Sequence, residues 1–368
     1  MIQTQKGTGL LKLYKNRALL LDPEKSFGND ADGILVPGQL IREYELVEGT
    51  AIAGPVRESK NGFILDGVDT VCGLAPEDFR KRSKPYTKLT AIAPCERFNL
   101  SISGVPAMRI VDLMAPIAKG TRGLIVSPPR AGKTIMLEQI AGAIHTCDPK
   151  TRIIALLIDE RPEEVTHFRR NVDAEVMASS NDRDVQEHIA LTRLVMGHVV
   201  TELECGSDVV VLVDSLTRMA RAFNLKGSKK QKGRIMSGGI QAGAMEVPRR
   251  FFGLARNIEG GGSVTIISTI LVDTGSRMDQ LIFEEFKGTG NSEIILDRNI
   301  AEARVFPAIN IPASGTRKEE LLYSPEEFKQ ITKLRRALIK VKPKEAMELF
   351  LKFLEKYPTN ADFLKPKA

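Results

Sequence analysis

The run Ser127-Pro-Pro-Arg-Ala-Gly-Lys-Thr134 has the residue types and spacing of a loop that binds phosphate groups. It follows an apolar, strand-like segment and opens the helical run 135–144, which is where such loops occur. Gly132 lets the backbone approach phosphate oxygens, and the start of a helix directs free N–H groups at them. In this arrangement Lys133 would reach the β- and γ-phosphates of a nucleotide, and the Thr134 hydroxyl would bind Mg²⁺.

One position departs from the general pattern, because Ser127 stands where the first glycine is expected. A small residue is tolerable there, and the alternative, a helix start without a ligand, is disfavoured by the strand before it and the acidic residues after it. We therefore predict that ATP contacts the whole loop: Ser127, Pro128, Pro129, Arg130, Ala131, Gly132, Lys133 and Thr134.

Two acidic residues close apolar segments further along the chain. Asp214 follows the run 209–213, and Asp159-Glu160-Arg161 follows the run 153–158. An aspartate at a strand end is the form that holds Mg²⁺ beside a phosphate loop, so we assign Asp214 to the metal. Glu160 is assigned to orienting or deprotonating the attacking water. Either carboxylate alone could instead cap a helix, but two such strand ends and a phosphate loop are better explained by one site than by three caps.

Phosphoryl transfer also requires positive charge on the developing transition state, often from an arginine of a neighbouring subunit. Arg304 and Arg317 are candidates, since both lie beyond the last predicted strand of the sheet. Residue types and spacing do not choose between them.

The elements that must position these residues are apolar segments of four to six residues that alternate with helical ones. The predicted strands are 123–126, 153–158, 209–213 and 264–268. Continuous apolar runs between helices predict a parallel sheet covered on both faces, an α/β fold. Ligands bind such sheets at the carboxyl ends of the strands, where the polar residues above are found. Two C-terminal helices are expected between residues 325 and 356, separated by Pro343.

The first part of the chain has a different pattern. Short strands separated by turn residues predict a small all-β barrel of the OB or cold-shock type over residues 1–75. The predicted strands are 9–14, 18–21, 33–36, 50–53 and 62–65. A charged run with breakers at 76–92 indicates a solvated connector. We thus expect a barrel at 1–75, a linker at 76–109 and a nucleotide-binding ATPase domain with the C-terminal helices at 110–368.

Composition is ordinary for a globular protein. The 368 residues are 42% hydrophobic and 27% charged, and the formal net charge of +7 suits a polyanionic partner without requiring one. The four cysteines have no metal-ligand or disulfide spacing, and neither a signal peptide nor a membrane span is evident. We expect a cytoplasmic protein without a membrane partner.

The motifs from residue 110 to about 365 together resemble the Rho family of transcription termination factors, which are RecA-like hexameric RNA helicases. The long runs around Glu160 and Lys287 are the most specific, since RecA recombinases and rotary ATPase subunits lack them. The matching runs are 121–134, 156–166, 213–224, 248–253, 286–291, 304–309 and 314–320.

The resemblance implies a homohexamer with ATP and Mg²⁺ between subunits. It implies that Arg317 acts on the neighbouring subunit's nucleotide and that Arg304 lies near the phosphates. Phe306 would pack on the adenine, and Arg161 would help to couple neighbouring sites.

The resemblance also implies loops in the central hole that grip single-stranded RNA. The family usually has lysine where Arg234 and Arg277 stand, so charge is kept but hydrogen-bond geometry changes. A Gly- and Lys-rich basic loop suits a phosphate backbone, although such lysines alone would indicate a solvated loop. The predicted RNA contacts are Arg234, Ile235, Ser237, Gly238, Gly239, Arg277 and Lys287.

The barrel departs from the family pattern. The family stacks bases on aromatic rings where this chain reads Lys15-Asn-Arg-Ala-Leu-Leu20, and each stacked base is worth about 1–3 kcal/mol. Tyr14, Phe27, Tyr44 and Phe63 are candidate substitutes.

The function implied is an ATP-dependent RNA translocase and helicase that binds nascent RNA and releases it from RNA polymerase, with RNA polymerase or elongation factors as partners. The alternative is a RecA-like ring ATPase that acts on another polymer or on a protein and has lost its primary RNA-loading site. A catalytically inactive ring is disfavoured by the complete set Lys133, Thr134, Glu160, Asp214 and Arg317.

Overall fold

The N-terminal unit is a closed β-barrel. The structure, a computed structural model, describes residues 5–23, 33–60, 62–82, 84–230, 239–241 and 243–365. The elements of the barrel are β1 (Gln5–Leu13), β2 (Ala18–Leu21), β3 (Ile34–Leu35), α1 (Gly38–Glu43), β4 (Ala51–Ser59), β5 (Gly62–Leu65) and β6 (Thr70–Val71).

Strand pairing identifies the barrel type. The order is β1-β2-β3-β5-β4, and β4 returns to β1, so five strands form a closed ring. β3 pairs β5 in parallel, and the other pairs are antiparallel. With α1 between β3 and β4, this connectivity is that of an OB-fold. Leu11, Leu20 and Leu65 fill the interior, which confirms the predicted small all-β barrel.

The segment 76–109 is not a solvated connector throughout. It contains α2 (Pro76–Arg82), a 3₁₀ turn (Tyr86–Lys88), β7 (Ala91–Ile92), a second 3₁₀ turn (Leu100–Ser103) and the start of α3 (Pro106–Met114). Phe98 and Leu100 are buried in the core of the second unit. The charged run ends at Lys88, and the apolar residues after it pack on the main sheet, which the composition of the run did not reveal.

The second unit is built on a nine-stranded sheet. Its parallel strands run in the order β10-β9-β11-β13-β8-β14, with β15 antiparallel at the edge and β12 joining β13 to β7. The strands are β8 (Arg122–Ser127), β9 (Arg152–Glu160), β10 (Glu175–Ser180), β11 (Asp208–Asp214), β12 (Arg256–Ile258), β13 (Ser263–Leu271), β14 (Ser292–Ile295) and β15 (Gly315–Thr316).

Helices cover both faces of this sheet, as the apolar runs predict. The strands contribute to two separate hydrophobic clusters, one on each face, so their side chains are buried on both sides. The helices are α4 (Lys133–Cys147), α5 (Pro162–Asn171), α6 (Val185–Glu204), α7 (Leu216–Lys230), α8 (Glu246–Phe252), α9 (Arg277–Lys287) and α10 (Arg298–Glu302), followed by the C-terminal α11 (Pro325–Leu338), α12 (Pro343–Lys356) and α13 (Asn360–Leu364).

The C-terminal helices match the expected pair separated by Pro343, which is the first residue of α12. A capping box of Ser324 and Glu327 begins α11. The buried Arg109 guanidinium of α3 donates to the carbonyls of Leu354 and Tyr357, which ties these helices to the core. Among the residues that the structure describes, no helix is both long and apolar enough to cross a membrane.

Candidate nucleotide site

The phosphate loop, residues 127–134, connects β8 to α4 at the carboxyl edge of the sheet. Gly132 has φ +94° and Arg130 has φ +66°, so the loop turns sharply before α4 begins at Lys133. A Cβ on Gly132 would meet no atom within 4 Å, so only the backbone conformation requires glycine there. The space above Gly132 is therefore open to a ligand that the helix N-terminus attracts.

Ser127 fits the position of the expected glycine because it is still a strand residue. It is buried at the end of β8, and its hydroxyl donates to the Pro128 carbonyl at 2.8 Å. Its φ is not among the positive ones, so glycine's freedom is not needed. The departure from the general motif leaves the loop geometry intact.

Lys133 lies at the centre of the polar cluster. Its Nζ donates to both carboxylate oxygens of Asp214, at 2.7 and 2.6 Å, and to Glu160 Oε1 at 3.0 Å. Burial lowers the Lys133 pKa, but the two carboxylates outweigh it and hold the pKa above its ordinary value. Lys133 is thus charged and placed where phosphate oxygens would compete for it.

Asp214 is positioned to share a small cation with Thr134. It is 1% exposed, and the Thr134 hydroxyl lies 3.3 Å from its Oδ2. On its other side, Thr269 of β13 donates to Asp214 Oδ1 at 2.7 Å and fixes the carboxylate. A hydroxyl and a carboxylate are the hard oxygen donors that Mg²⁺ prefers, so the residues fit the metal assigned to them.

A β-bulge at the end of β9 turns Glu160 into the site. Ile158 pairs with Ser179, but Ser180 pairs with Glu160, so Asp159 is the extra residue. Asp159 has φ +58°, and Glu160 is 2% exposed. Bulges re-aim side chains in this way beside active sites.

The charge state of Glu160 is set by its neighbours. Burial and the nearby Asp214 raise the pKa of Glu160 to about 7, against the opposing effects of Lys133 and Arg218. The Arg218 guanidinium of α7 lies 3.3 Å from Glu160 Oε2 and 3.8 Å from Asp159 Oδ2. A carboxyl with a pKa near 7 suits proton transfer at neutral pH.

An apolar pocket of about 240 Å³ lies beside the phosphate loop. Phe306 forms one wall and is 51% exposed, and Gly132, Ile135 and Met136 line it from the loop and α4. An apolar pocket with an exposed ring can take a purine base. Phe306 lines this pocket, and its packing on adenine stays a prediction.

The predicted arginines do not all lie at the phosphate loop. Arg304 is exposed and lies two residues before Phe306, on the nucleotide side of the sheet. Arg161 lies between Glu160 and the start of α5, but its side chain is exposed and, in the described part of the chain, forms an ion pair only with Glu164, at 4.0 Å.

Arg317 lies near the amino ends of the parallel strands, whereas the phosphate loop lies at their carboxyl ends. It follows β15, where Thr316 pairs with Ser292, and Ser292 pairs with Gly123 near the start of β8. The site begins four residues later, at Ser127, which is about 13 Å along the strand at ~3.3 Å per residue. The structure does not bring Arg317 to the phosphate loop of its own chain.

The predicted RNA residues fall into three groups. Gly239 is the last residue of the predicted RNA-binding segment after α7. It lies close to Met278, the neighbour of Arg277. Lys287 is at the other end of α9 from Arg277, about 15 Å away at ~1.5 Å per helical residue. The remaining predicted contacts, Arg234, Ile235, Ser237 and Gly238, lie outside the described residues.

Residues missed by the sequence analysis support both the site and the loops. Arg218 and Thr269 hold the carboxylates, and Asn224 binds the Gly239 carbonyl and the Gln241 amide. Arg221 forms a two-pronged bond to the buried Asp279 at the start of α9. Arg218, Arg221 and Asn224 all lie in the run 213–224, which was noted only for its resemblance.

Comparisons with known proteins agree with this arrangement. Residues 107–316, more than half of the chain, match the nucleotide-binding domain of the ATP synthase alpha/beta family. A solved ATPase of the type III secretion system of pathogenic bacteria superimposes with a TM-score of 0.61 over 81% of this chain and 93% of that one, at 19% identity. At that identity the likeness supports the fold alone.

Relatives with high identity share a single name. The chain is 46% identical over 363 residues to transcription termination factor Rho of Akkermansia muciniphila, covering 97% of this chain and 76% of that protein. It is 47% identical over 350 residues to Rho of Aquifex aeolicus, covering 93% and 80%. Against Rho of Streptomyces lividans it is 47% identical over 331 residues, covering 88% of this chain and 46% of that protein. The chain therefore belongs to the transcription termination factor Rho family, and it carries that family's ATPase nucleotide-binding domain.

Proposed function

We propose that this protein is an ATP-dependent RNA translocase and helicase that terminates transcription by releasing nascent RNA from RNA polymerase. The observation that carries the proposal is the cluster of Lys133, Glu160 and Asp214 at the carboxyl edge of the sheet, facing an open phosphate loop. Family membership supports transcription termination as its use. No observation on the described residues favours a ring ATPase that acts on another polymer or a protein.

The residues of the chain would divide the chemistry of hydrolysis among them. Backbone N–H groups of the loop and Lys133 bind the phosphates, and Thr134 and Asp214 would hold Mg²⁺, which neutralises charge on them. Glu160, aimed inward by the bulge at Asp159, accepts the proton of the attacking water or orients that water.

Arg317 supplies charge to a nucleotide held by a neighbouring subunit. Its position near the amino ends of the strands supports this, since the loop of its own chain is out of reach. Its guanidinium is exposed, and no ion pair to it occurs in the described part of the chain. A head-to-tail ring, the homohexamer, places it across an interface. Arg304 and Arg161 stay near the loop, and we assign them to the phosphates and to coupling between sites.

RNA binding is assigned to the loops after α7 and β13. Gly239, which follows the first of these segments, lies against the start of α9. Gly239 and Arg277 therefore belong to one surface. Arg234, Ile235, Ser237 and Gly238 belong to the same proposal, and Lys287 would contact RNA from the far end of α9. Positive side chains suit a phosphate chain.

We assign a separate role to each of the two structural units. Residues 1–75 form the domain that first contacts RNA, residues 110–368 form the ATPase domain, and the segment 76–109 joins them. Partners of this activity are single-stranded RNA, RNA polymerase and its elongation factors. Action on nascent RNA places the protein in the cytoplasm.

Transcript release tests the proposal. Stalled transcription complexes on an immobilised template are incubated with the protein, Mg²⁺ and ATP, and released RNA is measured. We expect release with ATP, none with a non-hydrolysable analogue, and none with Lys133→Ala. RNA that stays bound with active protein and ATP would refute termination.

A further inference from the structure

The loop that carries Arg317 is held on both sides by one side chain. Arg335 of α11 donates from Nη1 to the Ser314 carbonyl at 3.1 Å, three residues before Arg317. Its Nη2 donates to Glu319 Oε2 at 2.7 Å, two residues after Arg317, and also to the Met114 carbonyl at the end of α3. A single guanidinium thus fastens both flanks of the loop to the core.

The other restraints on the loop act through its backbone and its first half. The Arg317 amide donates to the Asn291 carbonyl at 2.7 Å, and the Thr316 hydroxyl donates to the Pro116 carbonyl at 2.8 Å. Beyond Arg317 the chain passes Lys318 at φ +58° and enters a 3₁₀ turn. The ion pair with Arg335 anchors that second half, so the chain is held after Arg317 as well as before it.

Only an arginine can make this set of contacts. The guanidinium has donors on both terminal nitrogens in one plane, whereas a lysine ammonium is a single point. Both terminal nitrogens lie 3.9 Å from the position of a Cβ on Gly315, so the group packs flat against the loop. Glu319 is partly buried, and Arg335 opposes the effect of burial, which raises the Glu319 pKa.

We propose that Arg335 is a positioning residue that fixes Arg317 for the nucleotide of the neighbouring subunit. The inference rests on the proposed ring ATPase, and it concerns the subunit that gives the arginine rather than the one that binds ATP. Removing Arg335 leaves the phosphate loop untouched and lets Arg317 sample positions away from the neighbouring site.

Arg335→Gln tests the effect on turnover. An arginine supplied in trans is worth about 10³–10⁵ in kcat, so loosening it should lower kcat at least about tenfold while nucleotide affinity changes less than about twofold. Arg335→Lys should restore the charge but only a small part of the rate. Arg336→Gln, at the exposed next residue of α11, is the matched control and should behave as wild type.

Subunit mixing distinguishes positioning from misfolding. Rings assembled from Arg335→Gln and Lys133→Ala subunits should hydrolyse ATP faster than rings of either variant alone. Random head-to-tail pairing gives about one interface in four the intact phosphate loop of an Arg335→Gln subunit and the Arg317 of a Lys133→Ala subunit, which Arg335 still holds. The parallel mixture combines Arg317→Ala with Lys133→Ala subunits. If that mixture regains ATP hydrolysis and the Arg335→Gln mixture does not, the proposal is overturned. No recovery in that parallel mixture overturns Arg317 in trans, and the role of Arg335 with it. Inactive wild-type rings would instead refute the proposed function.

Discussion

Lys133 makes charged contacts that an incoming nucleotide must replace. Its ammonium bridges Asp214 and Glu160, two carboxylates with almost no exposure to solvent. Without the lysine these carboxylates would be buried next to each other without a compensating charge. The lysine therefore neutralises charge in the site before any nucleotide binds.

Glu160→Gln is expected to lower kcat by about 10²–10⁴-fold, the range for loss of a general base, with ATP binding retained. In the wild type, kcat/KM should fall as pH drops below about 7, because Glu160 has a pKa raised to about 7 and is protonated there. Steady-state kinetics from pH 5.5 to 8.5 would check both points. A variant with a wild-type rate and pH profile would remove Glu160 from the chemistry.

Thr269→Val removes the hydroxyl that donates to Asp214 at 2.7 Å. If Asp214 holds Mg²⁺ as proposed, loss of such a support costs about 10–100-fold in metal affinity. Mg²⁺ titration of ATP turnover would show the shift. Ser268→Ala is the matched control, because the buried Ser268 hydroxyl on the same strand has no partner in the described structure; equal effects of the two would contradict the assignment.

The cluster of Lys133, Glu160 and Asp214 could be predicted from the sequence, but the residues that support it could not. Asp214 and Lys133 are predictable, since a strand end and a helix start fix each of them. The inward turn of Glu160 depends on a bulge at Asp159, and strand alternation alone contains no signal for an extra residue. Thr269 was not predictable because its role arises from the pairing of β13 beside β11.

At the scale of elements, one face of α7 connects the site to the loops. Thr217 accepts from the Leu271 amide, Arg218 contacts Glu160, Arg221 binds Asp279, and Asn224 holds Gly239. Thr217, Arg221 and Asn224 are spaced by four and three and so share a face of the helix, and Arg218 lies three residues before Arg221. A displacement of α7 would therefore reach both loops.

Arg221→Met should lower the free energy of unfolding by about 1–3 kcal/mol, because it leaves the buried Asp279 without its charged hydrogen bonds. Adding Asp279→Asn should restore most of the loss, since no unpaired charge then remains buried. Denaturant unfolding of the two single variants and the double variant measures the coupling. Additive losses would show that the pair contributes no interaction of its own.

The elements themselves were largely predictable from periodicity. Every strand proposed for the barrel and sheet occurs, because alternating and continuous apolar runs reflect burial on one or two faces. The segment after Lys88 was not predictable. β7 has only two residues, and its pairing with β12 involves a partner more than 150 residues away in the chain.

At the scale of the whole molecule, the barrel contacts the ATPase domain through closely approaching backbone atoms. A Cβ on Gly197 of α6 would come within 2.4 Å of the Glu48 carbonyl oxygen, and His198 Nδ1 lies 3.0 Å from the Gly49 carbonyl. Sequence reasoning separated the two units but gave no sign of this docking, because a glycine inside a helix has no unique interpretation.

Gly197→Ala should weaken the contact between the barrel and the ATPase domain by about 1–3 kcal/mol of docking free energy. Trypsin should then cleave faster at the basic run around residues 80–84, while ATP turnover without RNA is retained. Gly142→Ala in α4, where a Cβ meets no atom within 4 Å, should be neutral or stabilising. Equal protease resistance of both variants would contradict the docking described.

ATP turnover by the wild-type protein tests the central claim most directly. It would be measured with Mg²⁺ in the presence of poly(C), other RNAs, single-stranded DNA or no polymer, at two salt concentrations. We predict hydrolysis that RNA stimulates several-fold, that weakens as salt rises because phosphate contacts are screened, and that Lys133→Ala abolishes. Absence of ATP consumption, or turnover that no RNA changes, would contradict the account of an RNA-driven motor.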